Sequence, residues 1–166
     1  MLLTGLLPDI STDPAIETAT DSIEAGRSGT IVAPVGIRPP LLAAVASRAA
    51  TPLVVLTATG RDAESLTNAL ASWIPGVAML PAWETLPHER LSPQVDTMAR
   101  RIAVLRRLVH PIEGDESAGP LSVLVVPIRA FLQPIISGLA DLEPVRVRTG
   151  DILDLTDVTN RLAELG

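Results

Sequence analysis

Apolar residues in this chain alternate between two patterns: unbroken runs of four to six, and stretches where they recur every three or four positions. The runs read as buried strands and the spaced stretches as amphipathic helices. "TIVAPVG" (30–36), "PLVVLTATG" (52–60), "GVAML" (76–80) and "LSVLVVP" (121–127) are strand candidates, and so is "PVRVRTG" (144–150), with its alternating Arg146 and Arg148. Between them lie helices over about Pro14–Ala25, over "PPLLAAVASRAA" (39–50) and over "RDAESLTNALASWI" (61–74). In the last of these, Ala63, Leu66, Ala69, Leu70, Trp73 and Ile74 share a face, and Thr59 with Asp62 supplies a helix-start pair. Ser92 and Pro93 open the clearest helix, whose apolar stripe runs Val95, Met98, Ile102, Leu105, Val109. "HPIEGDESAGP" (110–120) reads as a loop, "IRAFLQPIISGL" (128–139) as a helix carrying Pro134, and "LTDVTNRLAELG" (155–166) as a helix with Leu155, Val158, Leu162 and Leu165 on one face.

Strands that are continuous apolar runs, alternating with helices, predict an α/β fold: a parallel sheet covered by helices on both faces. The pattern sets a polar, helical lead-in (1–29) apart from the α/β elements that follow.

Composition narrows the function. Hydrophobic residues are 47% of the chain and mean hydropathy is +0.37, enough to build a core. No run approaches the ~20 residues that span a bilayer, so no membrane role is expected. The start lacks a basic segment and meets Pro8 and Asp9 early, unlike a signal peptide. Cysteine is absent, which removes disulfides and thiolate chemistry and fits a reducing, cytoplasmic setting. A net charge of −6 disfavours a general nucleic-acid surface. Trp73, Trp83 and Phe131 are the whole aromatic complement, too few for base-stacking platforms.

In α/β folds chemistry sits at the carboxyl ends of strands. After the first strand comes "APVGIRPP" (33–40), where a phosphate loop of the form G-x-x-x-x-G-K-[ST] would sit. On that template Ala33 and Arg38 replace the glycines, Pro39 replaces the lysine and Pro40 the magnesium-binding hydroxyl. Two prolines also remove two N–H donors. Gly36 and Arg38 are what remains for an anion, and a plain strand-to-helix turn accounts for the segment better. The carboxylate for Mg²⁺ is missing too, since "LSVLVV" runs into Pro-Ile-Arg. No catalytic residue, cofactor site or metal site is expected.

The stretch "LPAWETLPHERLSPQVDTMARR" (80–101) gathers Trp83, Glu84, His88, Glu89 and Asp96. His88 beside Glu89 could do acid–base work. A solvated loop is the plainer account, with Trp83 packing as an anchor and Asp96 favouring a helix dipole. Arg100, Arg101, Arg106 and Arg107 read as a solvated basic face, or as contacts for an acidic partner.

This stretch, with "VLVVPIRAFLQP" after it, resembles the amino-terminal region of bacterial transcription-repair coupling factors. The residues that carry the resemblance are Trp83, Glu84, Thr85, Leu86, Pro87, His88, Glu89, then Ser92, Pro93, Asp96, Arg101, Ile102 and Leu105. It covers about Thr30 onward, and it implies an α/β domain over 30–143 and the start of a second small domain over 144–166. It implies a degenerate P-loop, helicase-like domain similar to the first domains of the excinuclease component UvrB, with the DNA-gripping hairpin of that protein missing. It also implies a non-catalytic scaffold piece whose parent couples stalled RNA polymerase to nucleotide excision repair. ATP and Mg would belong to a downstream motor, and RNA polymerase and DNA to downstream domains. The excinuclease component UvrA would be recruited through the second domain, where Arg146 and Arg148 form a possible partner surface. The sequence stops before the turn that makes the family's key contacts to UvrA, which implies a fragment. A small enzyme using His88 and Glu89, or an anion-binding module using Arg38, stands as the alternative.

Overall fold

The computed structural model describes residues 3–84, 94–143, 150, 152 and 154–165, with side chains of the last helix as far as 160. Helices α1 (Leu7–Ser11), α2 (Pro14–Glu24) and α3 (Arg38–Arg48) precede strand β1 (Leu53–Thr57). Helix α4 (Gly60–Leu70), strand β2 (Val77–Met79), helix α5 (Val95–Val109) and strand β3 (Val123–Pro127) follow. Helices α6 (Ile128–Phe131) and α7 (Leu155–Leu165) complete the described elements. The sheet is parallel with order β1-β3-β2; Leu53 and Val77 both stand opposite Val123.

Local chemistry starts the helices where expected. The Asp13 carboxylate accepts from the Ala15 and Ile16 N–H groups at the head of α2. At the head of α4, the Thr59 hydroxyl accepts from the Asp62 N–H at 3.1 Å and donates to the Asp62 carboxylate at 2.8 Å. Pro39 sits in the first turn of α3, where its missing N–H costs nothing.

β3 divides the core in two. On one face Val123 and Val125 meet Ala63 and Leu70 of α4, Ala43 and Ala46 of α3, and Leu7 of α1. On the other face Leu124 and Val126 meet Val104 and Leu105 of α5 and Ala130 of α6. The lead-in is tied to the same body. α1 and α2 pack on α3, the Leu3 N–H donates to the Ser72 carbonyl at 2.6 Å, and Arg48 pairs with Asp21 and Glu24. α1 escaped the sequence reading because five residues give no periodicity to detect.

Four expectations are corrected. Residues 30–34 form no strand and lead into a 3₁₀ turn at Val35–Ile37. No described strand lies beside them, and an apolar run without a hydrogen-bonding neighbour has nothing to make it a strand. The sheet is covered on both faces only at β2 and β3; one face of β1, carrying Val54 and Leu56, is about half exposed. The stripe on α5 is displaced. Val95, Met98 and Val109 are exposed, and the buried positions are Thr97, Arg101, Val104 and Leu105. The helix of 128–139 stops at Phe131, because Pro134 lacks an N–H and crowds the turn before it. The start of α5 falls at Val95, and Ser92 and Pro93 lie outside the described residues.

β2 is entered through Gly76, whose φ is +73°. A Cβ there would lie 2.9 Å from the Pro120 carbonyl oxygen and 2.9 Å from the Ser122 nitrogen. The Gly76 carbonyl also accepts from the Ser122 and Val123 N–H groups, which sets the start of β3. Gly76→Ala is expected to destabilise the chain by about 2 kcal/mol or more. Gly29→Ala, at a position with nothing within 4 Å, serves as the control. Urea unfolding of the two variants checks this; equal midpoints would contradict it.

Candidate functional site

Two places carry the residues singled out by sequence. The first is the turn after residue 33. Arg38 begins α3 with its side chain exposed, and Gly36 adopts an ordinary negative φ with open space around it. Neither the conformation nor the crowding that demands glycine in a phosphate cradle is present. Ala33 and Pro39 are half-buried and Pro40 is buried in the base of α3. A cleft of about 630 Å³ opens here, lined by Val35, Gly36 and Arg38 on one side and by Val55–Ala58 and α4 on the other. Its polar lining groups are Arg38, Thr57, Asp62 and Ser65, and most of the rest is aliphatic. No described group of three or more His, Asp or Glu side chains could hold a metal.

The second place is the segment after β2. Trp83 is held from two sides. The Gln133 side chain accepts from the Trp83 N–H at 2.7 Å and donates to the Trp83 carbonyl at 3.2 Å. From α5, the Arg101 guanidinium lies over the Trp83 ring, 4.5 Å from its centroid, and donates through Nη1 to the Pro81 carbonyl at 2.6 Å. Arg101 is fully buried, and its Nε and Nη2 have no hydrogen-bond partner. Its charge therefore leans on one carbonyl and the π face of Trp83. Burial pushes its pKa below the ordinary arginine value, and the group stays charged.

Glu84 comes next. Its carboxylate accepts from the Thr97 hydroxyl, one turn before Arg101, and its carbonyl accepts from Arg129 at 3.1 Å. The Thr97 hydroxyl above all, then the backbone N–H groups of Glu84 and Gln94, hold the Glu84 carboxyl below the usual range; Arg129 adds a smaller push. Asp96 is exposed and pairs with Arg100 at 2.9 Å.

The basic face expected on α5 is largely turned inward. Arg101 grips Pro81 and Trp83. Arg106 donates to the Leu142 carbonyl at 2.8 Å, and Arg107 to the Gly119 carbonyl at 2.8 Å. Sequence reasoning missed Thr97, Arg101, Arg129 and Gln133 as a group. The one available signal was that Thr97, Arg101, Val104 and Leu105 also recur at helical spacing. Thr85, Leu86, Pro87, His88, Glu89, Ser92 and Pro93 lie outside the described residues, as do Arg146 and Arg148. What the described arrangement does is tie the backbone of the 81–84 segment to side chains of α5, α6 and Gln133. Among the described residues it brings together no nucleophile with an acid–base pair.

No family model matches the chain. Over 137 residues, 82% of the chain, it is 45% identical to the transcription-repair-coupling factors of Mycobacterium bovis and Mycobacterium tuberculosis. Over 96 residues, 57% of the chain, it is 29% identical to the transcription-repair-coupling factor of Escherichia coli. The matched part is 11% of the length of the mycobacterial proteins and 8% of the Escherichia coli protein. These matches bear out the resemblance read from the sequence.

Removing Gln133 leaves the Trp83 N–H and carbonyl without their partner, so Gln133→Ala should cost about 1–3 kcal/mol in urea unfolding. Arg100→Ala, which breaks only an exposed pair, should leave the midpoint where it is. A depressed Glu84 pKa adds stability above its unfolded value and loses it as pH falls through the lower folded value. Thr97→Val removes the main cause of the depression, so NMR titration of the Glu84 carboxyl should move upward in that variant. An unmoved titration would show that Thr97 is not the cause.

Proposed function

From the homology of this chain, over most of its length, to transcription-repair-coupling factors, we propose that it is the non-catalytic amino-terminal part of such a factor. In this reading residues 30–143 are a helicase-like α/β scaffold that has lost its nucleotide site. The sequence match carries the proposal. Two structural features support it: the open turn at Ala33–Pro40 with prolines where lysine and hydroxyl would stand, and the use of Trp83 and Glu84 for internal packing.

The parent protein would couple stalled RNA polymerase to nucleotide excision repair in the cytoplasm. ATP and Mg would serve its downstream motor, and RNA polymerase and DNA would meet other domains. The excinuclease component UvrA would be recruited through the second domain, which begins near Pro144 and includes Arg146 and Arg148. α7 suits an element waiting for the rest of that domain, because Leu155 is 80% exposed. No described helix is long and apolar enough to cross a membrane.

Native mass tests the proposal directly. An antibody raised to this chain should detect, in the source cells, a band many times heavier than 17.5 kDa. The purified chain should show no saturable binding of a fluorescent Mg-ATP analogue. A single band at 17.5 kDa would remove the coupling-factor reading, and saturable nucleotide binding would remove the non-catalytic one.

A further inference from the structure

The cleft between α3, β1 and α4 is polar at one end and aliphatic at the other. The three strands are parallel, so α3, which leads into β1, and α4, which leaves it, both run opposite to the sheet. The starts of the two helices therefore meet the carboxyl end of β1. Arg38, Thr57 and Asp62 belong to that end of the cleft, and Ser65 lies one turn further along α4. Beyond them come Leu42 of α3, Leu66 and Ala69 of α4, and Val55 two residues back along β1. From Asp62 to Ala69 the cleft follows α4 for about 10 Å. Its volume of about 630 Å³ is that of a small-molecule site.

The polar end carries an available charge of one sign. The Thr57 hydroxyl donates to the Thr59 carbonyl at 3.0 Å, and the Thr59 hydroxyl donates to Asp62. The Asp62 carboxylate also stands in the first turn of α4, so the positive end of that helix is already answered. Arg38 has no hydrogen-bond or ion-pair partner among the described residues. The walls are incompletely covered as well. Leu42, Val55 and Leu66 are half-buried, whereas Ala43, Ala46 and Ala63 of the same two helices are closed into the core. An unpaired cation at the mouth of an aliphatic slot complements a single negative charge on an apolar tail. A phosphate would bring close to two charges, beside Asp62 and with no backbone cradle to receive them.

We propose that this cleft binds a medium-chain aliphatic monocarboxylate, with its tail between Leu42, Val55 and Leu66 and its carboxylate on Arg38. Burial of the tail supplies most of the affinity. Arg38 is itself exposed, so its pairing with the carboxylate is worth less and chiefly selects the head group. The ligand uses the cavity beside the degenerate loop without calling on the phosphate chemistry that the loop has lost. The site belongs to one helix–strand–helix unit and stands apart from the coupling-factor reading.

Photolabelling tests this with decanoate carrying a diazirine at its far end, on this chain and on the full natural protein. Labelling should saturate, fall on residues 35–42 and 55–69, and be displaced by decanoate better than by decanol. Ser65→Leu, at an exposed helix position, puts a larger side chain into the cleft and should abolish labelling there. Arg38→Gln, also at an exposed position, should weaken decanoate by about fivefold and leave decanol unchanged. Urea midpoints equal to that of the parent chain verify that both variants fold. Labelling that does not saturate, or that falls equally on the exposed Phe131 and Leu132, would overturn the proposal. So would displacement by decanol as good as by decanoate, tighter displacement by decyl phosphate, or loss of labelling in the full natural protein. Mg-ATP binding is read in its own assay, so this site and the non-catalytic reading can fail independently.

Discussion

Val123, Leu124, Val125, Val126 and Pro127 are all buried, so both faces and both edges of β3 must be supplied by the rest of the chain. An apolar strand with backbone groups on two sides can be withdrawn from water only if each N–H and carbonyl finds a partner. β1 and β2 provide those partners, α4 with α3 and α1 covers one face, and α5 with α6 covers the other. The alternating register then explains the two separate cores, Val123 and Val125 to one side, Leu124 and Val126 to the other.

The segment after β2 extends the same requirement. Leu80 still pairs with Val125 through its N–H, and the chain then leaves the sheet at Pro81. Its carbonyls and amides must be met by side chains, and Arg101, Arg129 and Gln133 meet them. That explains why a helix with four arginines exposes so little free basic surface. Three of the four are tied to backbone carbonyls. Trp83 and Glu84 are among the residues that carry the resemblance to coupling factors, and the structure gives these two a packing role.

Most of the secondary structure was legible because it follows from local chemistry. The cap at Thr59, the first-turn proline at Pro39 and the apolar run of β3 act within a few residues. What was illegible depends on neighbours distant in sequence. Residues 30–36 have strand composition, yet pairing decides a strand, and no described strand lies alongside. The stripe on α5 was misplaced because a buried arginine reads as surface. Only the ring of Trp83 and the carbonyl of Pro81, on another element, make position 101 habitable for a cation. The degenerate loop was legible as a loss of side-chain chemistry, while the cleft beside it belongs to the tertiary fold.

The strand order also has a consequence for biosynthesis. The middle strand of the sheet is the last of the three to be made, and Leu53 faces a partner roughly seventy residues downstream. At ribosomal speeds of about 5–20 residues per second, β1 waits some 4–14 s after emerging before β3 exists to pair with it. During that interval LVVLT and VAM are bare apolar segments, and the early helices cannot yet close over the sheet. Nascent chains of this protein therefore leave those strands unpaired for a period set by topology rather than by any weakness of the finished core.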